Sequence, residues 1–186
     1  MITQQKTATS TWTLDKSHSN VDFQVKHLVI STVRGHFRDF DATLHIDEDE
    51  PENSSVTASI DVASIDTNEP NRDVHLRSDD FFNADDFPKI TFQSTRVEKL
   101  DGNDLRLTGN LTIRDITRPV VLDGEYEGRI DDPWGNERIA FKAHTEISRE
   151  AFNVRWNQLL EAGGVAVSDR VKISLYVEAV RQAIAA

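Results

Sequence analysis

The chain has no cysteine. That excludes disulfides, thiolate nucleophiles and Cys-ligated zinc or iron–sulfur sites. It is short of positive charge: Lys and Arg total 21 against 32 Asp and Glu, a formal net charge of −11. Such a surface repels phosphate backbones and anionic headgroups, so general nucleic-acid binding is not expected. The opening "MITQQKTATSTW" holds no apolar core of the length a secretory signal needs. No run approaches the roughly 20 apolar residues of a membrane-spanning helix, so stable membrane insertion is not expected either. The chain reads as cytoplasmic. Catalytic signatures are also missing. There is no GxSxG elbow, no Gly-rich phosphate loop, no HExxH and no HxH. His18, His27, His36 and His45 recur every nine residues. Along extended chain, nine residues span about 30 Å and an odd interval flips the face, so they do not suggest a metal site. His75 and His144 add nothing stronger, and no metal or cofactor is expected.

What is present is alternation with period two. Val21, Phe23 and Val25 alternate with Asp22 and Gln24. Ala42, Leu44 and Ile46, then Val56, Ala58, Ile60 and Val62, repeat the pattern. So do runs beginning at Ile90, Leu105, Val120, Ile139 and Val171. Strands point successive side chains to opposite faces, so each run is a strand with one dry and one wet side. This gives eight strands, or nine with Trp12–Leu14. "DGND" at 101–104 and "DDPWGNE" at 131–137 are turn chemistry, and they make antiparallel hairpins of the flanking runs. One dry face per strand fits a closed barrel or a two-layer sandwich, and periodicity alone does not separate them. The inward set includes Phe23, Val25, Ile60, Phe92, Leu107, Leu122, Phe141 and Leu175. These fill a solid core or line a hollow one. A hollow one suits a long apolar molecule, because apolar contact needs few polar groups.

Two stretches break the alternation: "NRDVHLRSDDFF" running on to Phe87, and "SREAFNVRWNQLLEAGG" from Ser148. In the first, Asn71 is a plausible N-cap, Asp73 and Arg77 stand one helical turn apart, and Pro88 ends the segment. It reads as a helical plug at one barrel end. Trp134, in a turn, is expected to pack over a barrel end.

The segments 14–44, 71–95, 109–128, 132–141 and 163–179 together resemble the YceI-like family, in order and over nearly the whole chain. "SREAFN" departs from the family's usual Asn-Arg then Phe-Gly, with Ser148 and Asn153 in those places. Many members carry a secretory leader. The resemblance implies an all-β, antiparallel, eight-stranded lipocalin-like barrel, with short helices in the 70–88 and 148–162 connections. It implies a flexible tail over 1–10, one barrel domain over 11–181 and a C-terminal tail over 182–186. It further implies non-catalytic binding, transport or storage of a polyprenyl or quinone-like lipid, with its polar head near the mouth. The alternatives are an enzyme acting on such a lipid in the same cavity, or a filled barrel serving as a stress or interaction module. Candidates for the mouth or a head group are Arg34, His36, Arg72, His75, Arg77, Phe152 and Trp156, with Phe152 and Trp156 expected to cover the mouth or to fill core, although the acids beside Arg72 and Arg77 also argue for internal pairing. The expected partner is an isoprenoid lipid; a homodimer is compatible with the sequence, and no residue supports it.

Overall fold

In the computed structural model, residues 9–161 and 163–183 are described. Of the expected tails, 1–10 and 182–186, residues 1–8 and 184–186 lie outside them, and Ser10 belongs to the first strand. The strands are β1 (Ser10–Leu14), β2 (Asn20–His27), β3 (Ser31–Phe37), β4 (Phe40–Ile46), β5 (Ser55–Asp61), β6 (Ile65–Asp66), β7 (Lys89–Lys99), β8 (Asp104–Ile113), β9 (Ile116–Asp131), β10 (Glu137–Ser148) and β11 (Val167–Arg181). One helix, α1 (Pro70–Arg77), lies between β6 and β7.

These eleven segments form eight staves of a closed antiparallel barrel. β1 and β2 are one stave, broken by a 3-10 turn at Lys16–His18. β3 and β4 are a second, bent between Phe37 and Phe40. β5 and β6 are a third, broken at Val62–Ser64. The registers show the continuity: Val21 faces Phe37 and Trp12 faces Leu44 across one long hairpin. The remaining five strands follow in chain order, and β11 closes the ring. It pairs with β10 on one edge and with both β1 and β2 on the other. Closure leaves few unpaired edges, which suits a sheet of this length.

Period two located a strand in each of the eight staves. Trp12–Leu14 is not a ninth but the start of the first. The segment Ser31–Phe37 went unpredicted because Gly35 occupies an inward position and interrupts the apolar rhythm. The tight β8–β9 connection turns on Arg114 and Asp115, both in the left-handed region (φ 49° and 63°) that such hairpins require.

The helical expectation holds over Pro70–Arg77, and its cap needs correction. Glu69, not Asn71, caps α1: its carboxylate accepts from the N–H groups of Asn71 and Arg72, and Pro70 takes the first turn. Asp73 is buried and accepts from the N–H and hydroxyl of Thr67 (2.9 and 2.6 Å), so it does not pair with Arg77. In the second connection the only helical piece among the described residues is a 3-10 turn, Glu150–Phe152.

Apolar side chains gather at one end. Phe37, Val62, Ile65, Phe81, Ile90, Leu111, Ile113, Ile147, Phe152 and Val154 form a buried cluster where the plug meets the strand ends. Trp12, Leu44, Ile139 and Ala179 form a smaller one toward the other end. Trp134 is a correction: it is 81% exposed at the tip of the β9–β10 hairpin and packs over nothing.

Candidate functional site

Between the two clusters the barrel is hollow. A cavity of about 660 Å³ runs through it, within the range of ligand pockets. Phe23, Val25, Ile60, Phe92, Leu107, Leu122, Phe141 and Leu175 all line it. The interior is therefore not filled by side chains. Small residues decide this. Ala42, Ala58 and Ala143 take inward positions, and two glycines let large rings lie down against the wall. A Cβ on Gly35 would meet the Phe23 ring at 2.4 Å, and one on Gly109 the Phe92 ring at 2.3 Å. The rings cover the glycines and leave the lumen open.

One end of the cavity is closed. Leu76, Phe81 and Phe82 of the plug reach its floor, and Phe37 packs edge-on against Phe82 with ring centroids 6.1 Å apart. Arg114 ties the plug down. Its Nη1 donates to the carbonyls of Asp79 (3.2 Å), Phe81 (2.8 Å) and Asn153 (3.0 Å), and its guanidinium lies 5.8 Å over Phe87. Arg149 holds the second connection. It is buried and donates to the carbonyls of Val154 (2.7 Å), Trp156 (2.9 Å), Ser168 (2.9 Å) and Val167 (3.1 Å). Loss of water pushes its pKa down, and Glu150 and Asp169 oppose that shift.

The other end carries the mouth. Asp47, Glu48, Pro51, Ser54, Lys99, Gly102, Asn103 and Arg129 line it, and no helix crosses it among the described residues. Arg129 bridges Glu48 (2.8 Å) and Glu137, and Arg181 joins Glu137 at 2.7 Å. Both guanidinia lie over the buried Trp12 ring, 5.5 and 5.8 Å from its centroid. Sequence reading missed this rim, because its members come from four separate connections and strand ends.

The seven mouth or head-group candidates lie away from the cavity lining, and this corrects their expected place at the mouth. None lines the cavity. Arg34 is exposed on the outer face of β3, and His36 sits beside it, 4.0 Å from Asp66. Arg72 spends its guanidinium on the hydroxyl and carbonyl of Thr67 (2.7 and 2.8 Å). Arg77 reaches the carbonyl of Ala63 at 3.4 Å. His75 pairs with Asp80 (2.8 Å) and stands edge-on to Phe81 and Trp156. Phe152 is buried in the plug cluster, and Trp156 stacks at a tilt on Phe81. Within the charged knot Arg72, Asp73, His75 and Arg77 all take partners in the 63–80 stretch.

One group among the described residues has metal-like spacing: Asp15, His18 and Glu178. The Arg138 guanidinium already occupies it, bridging Asp15 (2.7 Å) and Glu178 (2.6 Å).

Comparison with known proteins gives one answer. The family model of the YceI-like domain matches residues 12–179. The UPF0312 protein ECA1782 of Pectobacterium atrosepticum is 43% identical over 165 residues, 89% of this chain and 82% of that protein. The Campylobacter jejuni YCEI protein superposes with a TM-score of 0.74 at 34% identity, covering 91% of this chain and 97% of that one. A Saccharophagus degradans domain described as polyisoprenoid binding shares the fold, with a TM-score of 0.65 at 14% identity over 92% and 98% of the two chains. The chain belongs to the YceI-like family.

Proposed function

We propose that the barrel binds one long isoprenoid lipid, of polyprenyl or quinone-like type, and carries or stores it without chemical change. The observation behind this reading is the cavity itself: about 660 Å³, walled by apolar side chains from all eight staves, plugged at one end and open at the other. Affinity then comes from apolar burial along the tail, at about 25 cal/mol per Å². The tail lies on Phe23, Phe92 and Phe141, and the polar head sits at the rim of Glu48, Lys99, Asn103 and Arg129. The Saccharophagus degradans domain, described as binding polyisoprenoid on the same fold, supports the choice of ligand class. An enzymatic reading would need an acid–base pair converging inside the cavity. His45 is the one histidine along the lining among the described residues, and its ring bonds the Thr11 hydroxyl on the outer rim (3.1 Å).

Native mass spectrometry of protein purified gently from its own host tests this. A stoichiometric added mass that organic extraction removes, and that proves to be an isoprenoid, is the expected result. A bare mass from freshly purified protein, with no isoprenoid in the extract, would refute the proposal.

A further inference from the structure

Acidic residues stand at both ends of the barrel, with Asp79, Asp80, Asp85, Asp86, Asp115, Glu150, Glu161 and Asp169 at the plugged one. The mouth end carries Asp47, Glu48, Asp49, Glu50 and Glu52 in one loop, with Asp101, Asp104, Asp131 and Asp132 in its neighbours. One strip of outer wall near the plugged end, on β2, β3 and β11, differs. Among the described residues, Lys26, Arg34, Arg170 and Lys172 form no ion pair, whereas most other Lys and Arg side chains on the outer wall do. The register gathers these four. Gln24 faces Arg34 on one side and Lys172 on the other, and Lys26 lies one outward position further toward the tip of the hairpin. With strands about 4.8 Å apart, the array is about 10 Å across. Glu146 stands opposite Lys172 without pairing with it, and Asp22 occupies the next outward position toward the mouth.

Beyond this array the β2–β3 hairpin ends in Leu28, Val29 and Ile30, which are 40%, 73% and 87% exposed. Leu28 and Val29 are in the left-handed region (φ 49° and 65°), a conformation that a β-branched residue resists. The tight turn thus presents three successive aliphatic side chains to water. The next connection adds to the patch. Leu28 N–H donates to the Ala166 carbonyl (2.8 Å), Leu159 bridges to Val165, and Leu159 is 82% exposed. Directly beneath, Val25 and Val167 face the cavity, and the β2–β11 pairing skips from Val167 to Val171.

We infer that this end of the barrel docks peripherally on an anionic lipid bilayer, with Leu28, Val29, Ile30 and Leu159 entering the interface and Lys26, Arg34, Arg170 and Lys172 meeting the headgroups. Exposed aliphatic side chains flanked by free cations are the pairing that peripheral lipid binding requires. In a chain of net charge −11 the strip of four unpaired cations beside the hairpin tip is the patch that an anionic surface attracts, and it orients the approach. The inference goes beyond cargo binding and does not depend on it: vesicles without isoprenoid are sufficient to test it.

The experiment is cosedimentation with vesicles of pure phosphatidylcholine and of equimolar phosphatidylcholine and phosphatidylglycerol. The protein is expected to bind the anionic vesicles at least about tenfold more tightly, and to lose that preference in high salt. The double substitution Val29→Asp, Ile30→Asp should abolish binding. Lys26→Gln and Arg34→Gln should weaken it about fivefold for each cation removed. Trp134→Asp, at the opposite end, should leave it unchanged. All these side chains are exposed, and an unchanged thermal melt confirms each variant is folded. Wild-type protein that does not pellet with the anionic vesicles overturns the inference. So does a folded tip variant that binds like wild type, or binding lost only in Trp134→Asp.

Discussion

Whether this barrel holds anything is decided by residues that contribute almost no side chain. Gly35 leaves the space in which the Phe23 ring lies, and the atoms nearest its missing Cβ all belong to side chains, Phe23 and Thr67. Gly35→Ala should therefore fold, with the Phe23 ring turned into the lumen at an overpacking cost of about 1–3 kcal/mol. The expected outcome is a shift in preference toward shorter prenyl tails, read by titrating a series of prenols of increasing length. An unchanged length preference in a folded variant would show that the ring does not set the free volume. Gly109 is a different case. Its missing Cβ would lie 2.6 Å from the Gln93 carbonyl on the neighbouring strand, so Gly109→Ala strains the backbone pairing itself and should be the less stable of the two in thermal unfolding. The eight lining residues were legible in the sequence because inward positions follow from alternation alone. The hollowness was not. It depends on where two phenylalanine rings come to rest, which is set by the absence of Cβ atoms on facing strands.

At the scale of elements, the plug shows how far residue types carry. Arginine and histidine in a charged stretch look suited to an anionic head. Arg72, His75 and Arg77 instead take acceptors on Thr67, Asp80 and Ala63. The nearby acids already argued for internal pairing, and the particular partners appear only once the chain folds back. The residue that anchors the plug, Arg114, belongs to a strand turn far along the chain and bore no signal at all. Its three carbonyl acceptors lie on the plug and on the connection after β10. Arg114→Met removes those bonds and should cost about 1.5–3 kcal/mol. The loss should be local, with faster amide exchange over residues 78–87 while the strands stay protected. Unchanged protection of that segment in the variant would refute the role of Arg114 as its anchor. Phe81→Ala should act on the same element through packing, by about 3–5 kcal/mol, since the ring is buried in the plug cluster.

At the scale of the whole molecule, the barrel exists because its first stave closes against its last. That seam has a break at Asp15–Ser19, where β1 ends and β2 begins, and an ionic clasp spans it. Arg138 on β10 donates to Asp15 (2.7 Å), to Glu178 on β11 (2.6 Å) and to Asp132 in the turn before it (2.7 Å). The carboxyls of Asp15 and Asp132 are held well below the ordinary range. For Asp15 the Ser17 hydroxyl is the largest cause and Arg138 the next; for Asp132 Arg138 comes first. A carboxyl depressed in the folded state stabilises the fold fully above its unfolded value, 3.8 for aspartate. As pH falls below that, the unfolded chain takes up protons that the folded one still refuses, and the contribution is lost progressively. Stability should thus fall steeply below about pH 4 from these groups. Arg138→Met should lower the melting temperature at neutral pH, because Asp15, Asp132 and Glu178 lose their shared partner. Without the guanidinium Asp15 and Asp132 return toward ordinary values, so the difference from wild type should narrow between pH 5 and pH 3. Melting curves at neutral pH, pH 5 and pH 3 for both proteins decide it. Two profiles that coincide would mean that the clasp contributes nothing to closure and that hydrogen bonding between β1, β2 and β11 holds the seam by itself, and a gap that stays constant with pH would refute the carboxyl linkage.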